Sequence, residues 1–151
     1  MHTLVRRFIK TGGAFLMVGL VLGFWILLSR EILGRGAHPH LVSAHTHALL
    51  SGFMLFLIFG VALWMFPKPP KGDGRYTPDR GRMAWWILLL GTSVRVGGEF
   101  FRSIWFTEWI PWVIVSSGVL QLVGSGWMLW MLWPRIRGVG SPAREARGER
   151  F

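Results

Sequence analysis

The sequence has no cysteine, a single tyrosine and only seven acidic residues among its 151 positions. Without cysteine, the chain has no means to form disulfide frameworks, thiolate metal sites, iron–sulfur clusters or a cysteine nucleophile. Charged residues make up 16% of the chain, whereas soluble domains contain about 25%. The composition therefore disfavours a water-soluble globular domain.

Long apolar runs take up most of the remaining sequence. Each has the roughly 20 residues that a helix needs to cross about 30 Å of hydrocarbon, and in single segments of this kind only a helix satisfies the backbone hydrogen bonds. The runs predict an all-α membrane protein with four transmembrane helices, at about 8–33, 42–66, 83–106 and 110–133. Ten tryptophans suit a chain with two membrane–water interfaces to occupy.

Basic residues predict the orientation of these helices. The net charge is +10, and the basic residues cluster before the first run, between the second and third runs, and after the fourth. Because cytoplasmic loops are enriched in Lys and Arg, we expect both termini and the middle loop to be cytoplasmic. We expect a transmembrane domain over 1–137 and a basic cytoplasmic tail over 138–151, in the inner membrane of a prokaryotic cell. This pattern favours the lipid bilayer as the partner and excludes nucleic acid.

Histidines are concentrated at the head of the second run. Four of the five fall within ten residues: His38, His40, His45 and His47. The last two lie about 9 and 12 Å inside the helix start at ~1.5 Å per residue, a depth at which an ionisable side chain is a functional candidate. Each residue turns a helix by ~100°, so positions two apart point ~200° away from each other. The pair is therefore unable to share one metal ion but can bind two different ones, on opposite flanks.

The neighbourhood of this pair suits a flat, apolar cofactor. Gly52 lies seven residues after His45, on the same helix face, and leaves room there for the edge of a porphyrin. A ligating imidazole needs a partner for its other nitrogen. Ser43, Thr46 or a backbone carbonyl are the candidates for that partner.

Two other interpretations of the histidines stay open. His45 and His47 can hydrogen-bond between helices without any metal. His38 and His40, near water at the rim, can form a copper or zinc site or serve as interfacial polar residues.

The third run carries charges on one helical face. Arg95, Glu99 and Arg102 fall at i, i+4 and i+7, and their burial is costly unless they are paired. One interpretation is that Arg95 or Arg102 neutralises the carboxylates of a bound porphyrin while Glu99 holds the arginine. The other is an internal Arg–Glu pair that serves packing, with Arg102 extended to the interface.

The stretch from Ala44 to Met54, AHTHALLSGFM, together with its continuation to Pro67, resembles catalytic subunit I of haem–copper oxidases and nitric oxide reductases. It is most similar to their small, stand-alone four-helix relatives, and it also resembles the histidine segment of NnrS-type haem proteins. The family's subunit has twelve helices in three arcs of four, and one arc carries a His-x-His whose members ligate different haems on either side. The resemblance implies haem b, and a homotrimer in which His45 of one protomer and His47 of its neighbour hold one haem. A dimer can pair the same ligands twice.

Parts of the family pattern are missing from this chain. There is no adjacent His-His for copper, and Tyr76, the only tyrosine, lies in the middle loop. We therefore expect a membrane haem b protein that transfers electrons or binds a small gas such as nitric oxide or oxygen, with a redox partner that the sequence does not identify. The alternatives are an oxidoreductase that reduces nitric oxide or oxygen with a second metal, and a copper-binding or accessory membrane subunit without haem.

Overall fold

The structure, a computed structural model, describes residues 3–67, 73–136 and 147–148. The described residues form four long helices, one on each apolar run: α1 (Thr3–Glu31), α2 (Pro39–Met65), α3 (Pro78–Ile104) and α4 (Ile110–Leu132). A 3₁₀ turn, Trp133–Arg135, follows α4. The all-α class is confirmed, although α1 and α3 begin five residues before their expected starts. The tail expected over 138–151 lies outside the described residues except for Arg147 and Gly148.

Local sequence signals account for where α2 and α3 begin. Pro39 and Pro78 each occupy the first turn, where the N–H that proline lacks has no intrahelical partner anyway. Before them, the His38 ring accepts a hydrogen bond from the His40 N–H at 3.2 Å, and the Thr77 hydroxyl accepts one from an amide of the first α3 turn at 3.2 Å. These caps satisfy amide groups that a helix start leaves without partners.

α2 departs from regular α-helical geometry immediately after the histidine pair. Pro39–His47 and Leu55–Met65 are α-helical, but Ala48–Met54 between them is π-helical. We expected an uninterrupted α-helix, and the apolar pattern of the sequence does not distinguish this stretch. A π-helical turn holds more residues than an α-helical one. The π-helical segment therefore rotates Leu55–Met65 about the helix axis relative to Pro39–His47, which carries the histidines. Segments of this kind are frequent at functional sites.

Three helical segments, Thr3–Glu31, Pro39–Met65 and Ile110–Arg135, are long and apolar enough to cross a membrane. α3 has 27 residues, about 40 Å at ~1.5 Å per residue, but Arg95 and Glu99 lower its mean hydropathy. The prediction of four helices is thus confirmed. Three of them have the length and composition of a membrane-spanning helix. The crossing by α3 and the orientation of the termini stay predictions.

The helices are arranged as an open arc. Each helix packs mainly on the next one in the sequence, so that α2 lies between α1 and α3, and α4 covers the far side of α3. Within the part of the chain that the structure describes, α1 and α4 do not pack on each other. A closed four-helix bundle would bring its first and last helices together around one core. Both edges of the arc are therefore open to lipid or to another chain.

Apolar packing is concentrated at the end of the arc opposite the histidines. Phe8 and Phe56 are fully buried there, with ring centroids 5.6 Å apart, and the same cluster includes residues from α3 and α4. Around the start of α2, which we call the histidine end, the buried apolar cluster is limited to Ala44, Ala48 and Val96. Because so few apolar side chains are buried at the histidine end, the helices are held together there mainly by polar contacts.

Candidate functional site

The His45 ring lies against the backbone of α1. Its Nδ1 is 2.8 Å from the carbonyl oxygen of Gly19. A Cβ atom on Gly23, one turn further along α1, would stand only 2.7 Å from Cε1 of the ring. Because a carbonyl oxygen only accepts hydrogen bonds, Nδ1 is the donor of this bond, and a neutral imidazole with its proton there has its lone pair on Nε2.

The His47 ring points the other way, to α3. Its Nδ1 is 2.9 Å from Oε2 of Glu99, 3.0 Å from the carbonyl oxygen of Ser43 and 3.3 Å from the Ser43 hydroxyl oxygen. The carboxylate and the carbonyl only accept hydrogen bonds, so Nδ1 is the donor to them, and a neutral imidazole with its proton there has its lone pair on Nε2. The predicted divergence of the two histidines to opposite flanks of α2 is confirmed.

The carboxylate that binds His47 is the most buried charged group of the histidine end. Glu99 is 3% exposed, and its second oxygen, Oε1, accepts a hydrogen bond from Nε of Arg95 at 2.8 Å. The Arg95 guanidinium in turn lies against α4, where a Cβ atom on Gly118 would be 2.9 Å from Nη1. The expected Arg–Glu pair is present, and it faces into the arc between α2 and α4.

Arg102, the third charge on this helix, has different neighbours. Its Nε donates a hydrogen bond to Nε2 of His40 at 2.8 Å, and its guanidinium carbon lies 5.7 Å from the centroid of the Phe106 ring. His38 stacks on His40, with ring centroids 5.4 Å apart. His38 and His40 thus each accept a hydrogen bond from a protein N–H group, His38 at Nδ1 and His40 at Nε2.

The four histidines do not form one metal site. Across residues 3–67 and 73–136, no group of three or more His, Cys, Asp or Glu side chains has the geometry to hold a metal ion. The sequence placed His38, His40, His45 and His47 close together along the chain, but the structure distributes their nitrogens among α1, α3 and the first turn of α2. A copper or zinc site built from all four is absent from this arrangement.

Gly52 has a different role from the one that the sequence predicted. It does lie on the α1 side of α2, as His45 does, but the space beside it is filled. A Cβ atom on Gly52 would stand 2.5 Å from Cγ of Phe15. The room expected for the edge of a porphyrin is therefore taken by a side chain of α1, and Gly52 serves the close approach of α1 and α2.

The sequence predicted Ser43, Thr46 or a backbone carbonyl as the partner of each second ring nitrogen, and two of these are found. Nδ1 of His45 lies 2.8 Å from a backbone carbonyl oxygen, and Nδ1 of His47 lies 3.3 Å from the Ser43 hydroxyl and 3.0 Å from the Ser43 carbonyl oxygen. Thr46 instead donates its hydroxyl to the carbonyl oxygen of Val42 at 2.9 Å. Glu99 was the one acidic residue inside the third apolar run, and its burial signalled the need for a partner. Nothing in the sequence identified that partner as His47, which lies 52 positions away.

Both histidines therefore share one chemical arrangement, with Nδ1 bound to a protein oxygen and Nε2 left with a lone pair. Neither Nε2 atom has a hydrogen-bond partner among the described residues. Comparisons with protein-family models, with curated proteins and with solved structures find no match to this chain.

Proposed function

We propose that this chain is a membrane haem b protein, with His45 and His47 as ligands to haem iron through Nε2. The observation that carries the proposal is the environment of the two rings: each Nδ1 lies within hydrogen-bond distance of a protein oxygen that accepts, and neither Nε2 has a partner among the described residues. Histidines that bind metals almost always have this arrangement, since the acceptor fixes the ring and its tautomer. Electron transfer or binding of a small gas at a prokaryotic inner membrane is the corresponding role.

The donor set fits haem better than an isolated metal ion. A structural zinc site requires about four protein ligands, and the described residues offer no cluster of three. A porphyrin brings four nitrogens of its own, so the protein has to supply only one or two imidazoles. The two imidazoles, on opposite flanks of one helix and without partners at Nε2 among the described residues, can supply these ligands.

The arc supports an assembly of several copies. His45 and His47 face opposite sides of α2, so one protomer offers one ligand to each of two haems. Both rings are partly exposed, and the edges formed by α1 and α4 do not close on each other among the described residues. We propose a homotrimer in which His45 of one protomer and His47 of the next share a haem.

The remaining residues of the site have supporting roles. The Arg95 guanidinium pairs with the Glu99 carboxylate, whereas Arg102 donates to a ring nitrogen of His40 and has no carboxylate partner among the described residues. Arg102 is therefore the better candidate to neutralise haem propionates. When bound, haem would supply one-electron redox chemistry and an iron atom able to bind gases. His45 and His47 would hold the iron, with Gly19 and Glu99 orienting their rings.

The test is a visible spectrum of the full chain purified in detergent, with its metal content and molecular mass. We expect sharp reduced-state bands of six-coordinate haem b, one haem per chain and the mass of a trimer. A shift on adding carbon monoxide would assign an open iron and gas binding. A colourless protein from haem-supplied cells would overturn the proposal, and copper in that protein would favour an accessory metal subunit.

A further inference from the structure

The two histidines differ in what holds Nδ1. For His45 the acceptor is a neutral backbone carbonyl, at Gly19. For His47 the acceptors are the Glu99 carboxylate and the carbonyl of Ser43. We infer that Glu99 is a positioning residue that makes His47 the stronger electron donor of the two rings and thereby lowers the reduction potential of the iron that His47 binds. The iron part of this inference rests on the proposed function.

Glu99 is buried and bound on both sides. It is 3% exposed, Oε2 pairs with His47 and Oε1 pairs with Arg95, and the Ser43 side chain also hydrogen-bonds to the carboxylate. The Arg95 guanidinium lies next to α4, where a Cβ atom on Gly118 would be 2.9 Å from Nη1. Glu99 on α3 is thus bound by side chains of α2 and by an arginine that reaches α4.

The charge of Glu99 has a chemical consequence beyond orientation. Ion pairing with Arg95 reduces the cost of burying the carboxylate, but the oxygen facing His47 still carries negative charge. A carboxylate that accepts the Nδ1 proton raises the basicity of Nε2. A more basic ligand stabilises oxidised iron, and hydrogen bonds to the axial ligands are among the means by which proteins set haem potentials.

A purely structural clamp between α2 and α3 makes a different prediction. Ser43 already provides its carbonyl oxygen at 3.0 Å and its hydroxyl oxygen at 3.3 Å from Nδ1 of His47. If Ser43 alone fixed the ring, removing the Glu99 charge would leave the tautomer and the potential unchanged. The experiment therefore has to separate the charge of Glu99 from its hydrogen bond.

Two variants make that separation. Glu99→Gln keeps an oxygen acceptor of the same size and removes the charge, whereas Glu99→Leu removes both. Glu108→Gln is the matched control, because it removes one negative charge from an exposed residue outside the helices. Far-UV circular dichroism of the detergent-solubilised full chain establishes that each variant folds, and Glu99→Gln carries the test if Glu99→Leu does not fold.

The first readout is the haem midpoint potential. We expect it to rise in Glu99→Gln and to rise further in Glu99→Leu, with no change in Glu108→Gln. The second readout is ¹⁵N NMR of histidine-labelled protein prepared without haem, in which His47 is assigned by its own replacement. We expect His47 protonated at Nδ1 in the unsubstituted protein and in Glu99→Gln, and a mixed tautomer population in Glu99→Leu.

The outcomes separate this inference from the proposed function. Haem bound with an unchanged potential in Glu99→Gln would overturn the inference and leave the haem assignment intact. A chain that never binds haem overturns the proposed function, and the NMR readout then decides the positioning role. A His47 tautomer that Glu99→Leu leaves unaltered would overturn that role as well.

Discussion

Gly23 lies directly against the imidazole of His45, and a Cβ atom at this glycine would stand 2.7 Å from Cε1 of the ring. One turn earlier, the carbonyl oxygen of Gly19 binds Nδ1 of the same ring at 2.8 Å. A pair of glycines four residues apart usually serves the close packing of membrane helices. Here the pair also forms the surface on which a candidate haem ligand rests.

Gly23→Ala tests this surface. The added Cβ forces the His45 ring away from α1 and weakens its bond to Gly19, so we expect haem affinity to fall by about 10–100-fold, as for other losses of ligand support. Alanine also favours a helix over glycine by up to about 1 kcal/mol, so α1 itself is not weakened. Gly13→Ala is the control on the same helix, since its Cβ meets nothing within 4 Å. Haem titration of both variants gives the comparison, and equal affinities would contradict the role of Gly23.

Removal of either ligand is the direct test of the haem assignment. We expect His45→Ala and His47→Ala each to lose most of the haem, because each proposed shared site would lose one of its two imidazoles. His38→Ala should keep its haem, since the His38 ring caps the first turn of α2 and stacks on His40. The measurement is haem per chain by the pyridine haemochrome assay. Full haem in both His45→Ala and His47→Ala would show that other residues hold the iron.

Gly52→Ala distinguishes packing from cofactor binding at that glycine. Its Cβ would lie 2.5 Å from Cγ of Phe15, and overpacking of this kind typically costs about 1–3 kcal/mol. We expect a lower midpoint of thermal unfolding, with an unchanged haem content in the protein that remains folded. Gly126→Ala lies within α4 and its Cβ contacts nothing, so it should keep the original midpoint or raise it through the helix preference of alanine. A specific loss of haem without loss of stability would restore the sequence-based role of Gly52.

Tyr76 supplies a prediction on pH. Burial raises the pKa of its hydroxyl above the usual range, while the Arg135 guanidinium, 5.3 Å from the ring centroid, acts in the opposite direction. Since the folded pKa exceeds the unfolded value of about 10, the unfolded chain releases the proton first. The contribution of Tyr76 to stability is therefore complete below about pH 10 and is lost as the pH rises through the folded pKa.

The measurement for Tyr76 is the absorbance of tyrosinate during an alkaline titration. The chain has a single tyrosine, so the signal belongs to one residue. We expect its midpoint at higher pH in the folded protein than in protein unfolded by denaturant. Coincident midpoints would contradict the burial of this hydroxyl.

Hydropathy predicted much of the fold. The four apolar runs became the four helices, although α1 and α3 begin five residues before their expected starts. The opposite directions of His45 and His47 also followed from the sequence, because the ~100° turn per residue is a property of any α-helix. These features depend on residues that are near each other along the chain.

Features that depend on contacts between helices were not predicted from the sequence. The pairing of His47 with Glu99, the support of His45 by Gly19 and Gly23, and the filling of the space at Gly52 all join residues more than 20 positions apart. Periodicity identifies the face of a helix but not the neighbour that it meets. The π-helical turn Ala48–Met54 belongs to the same group, since no residue type in it signals the change of helical geometry.

Residue types and their spacing along the chain thus established the number of helices and the divergence of the two imidazoles, because short-range geometry governs both. Packing of α1, α2 and α3 established which atoms bind each ring and which glycine is already covered. Those properties arise from distances between separate helices, and a linear pattern of residues contains no information about such distances.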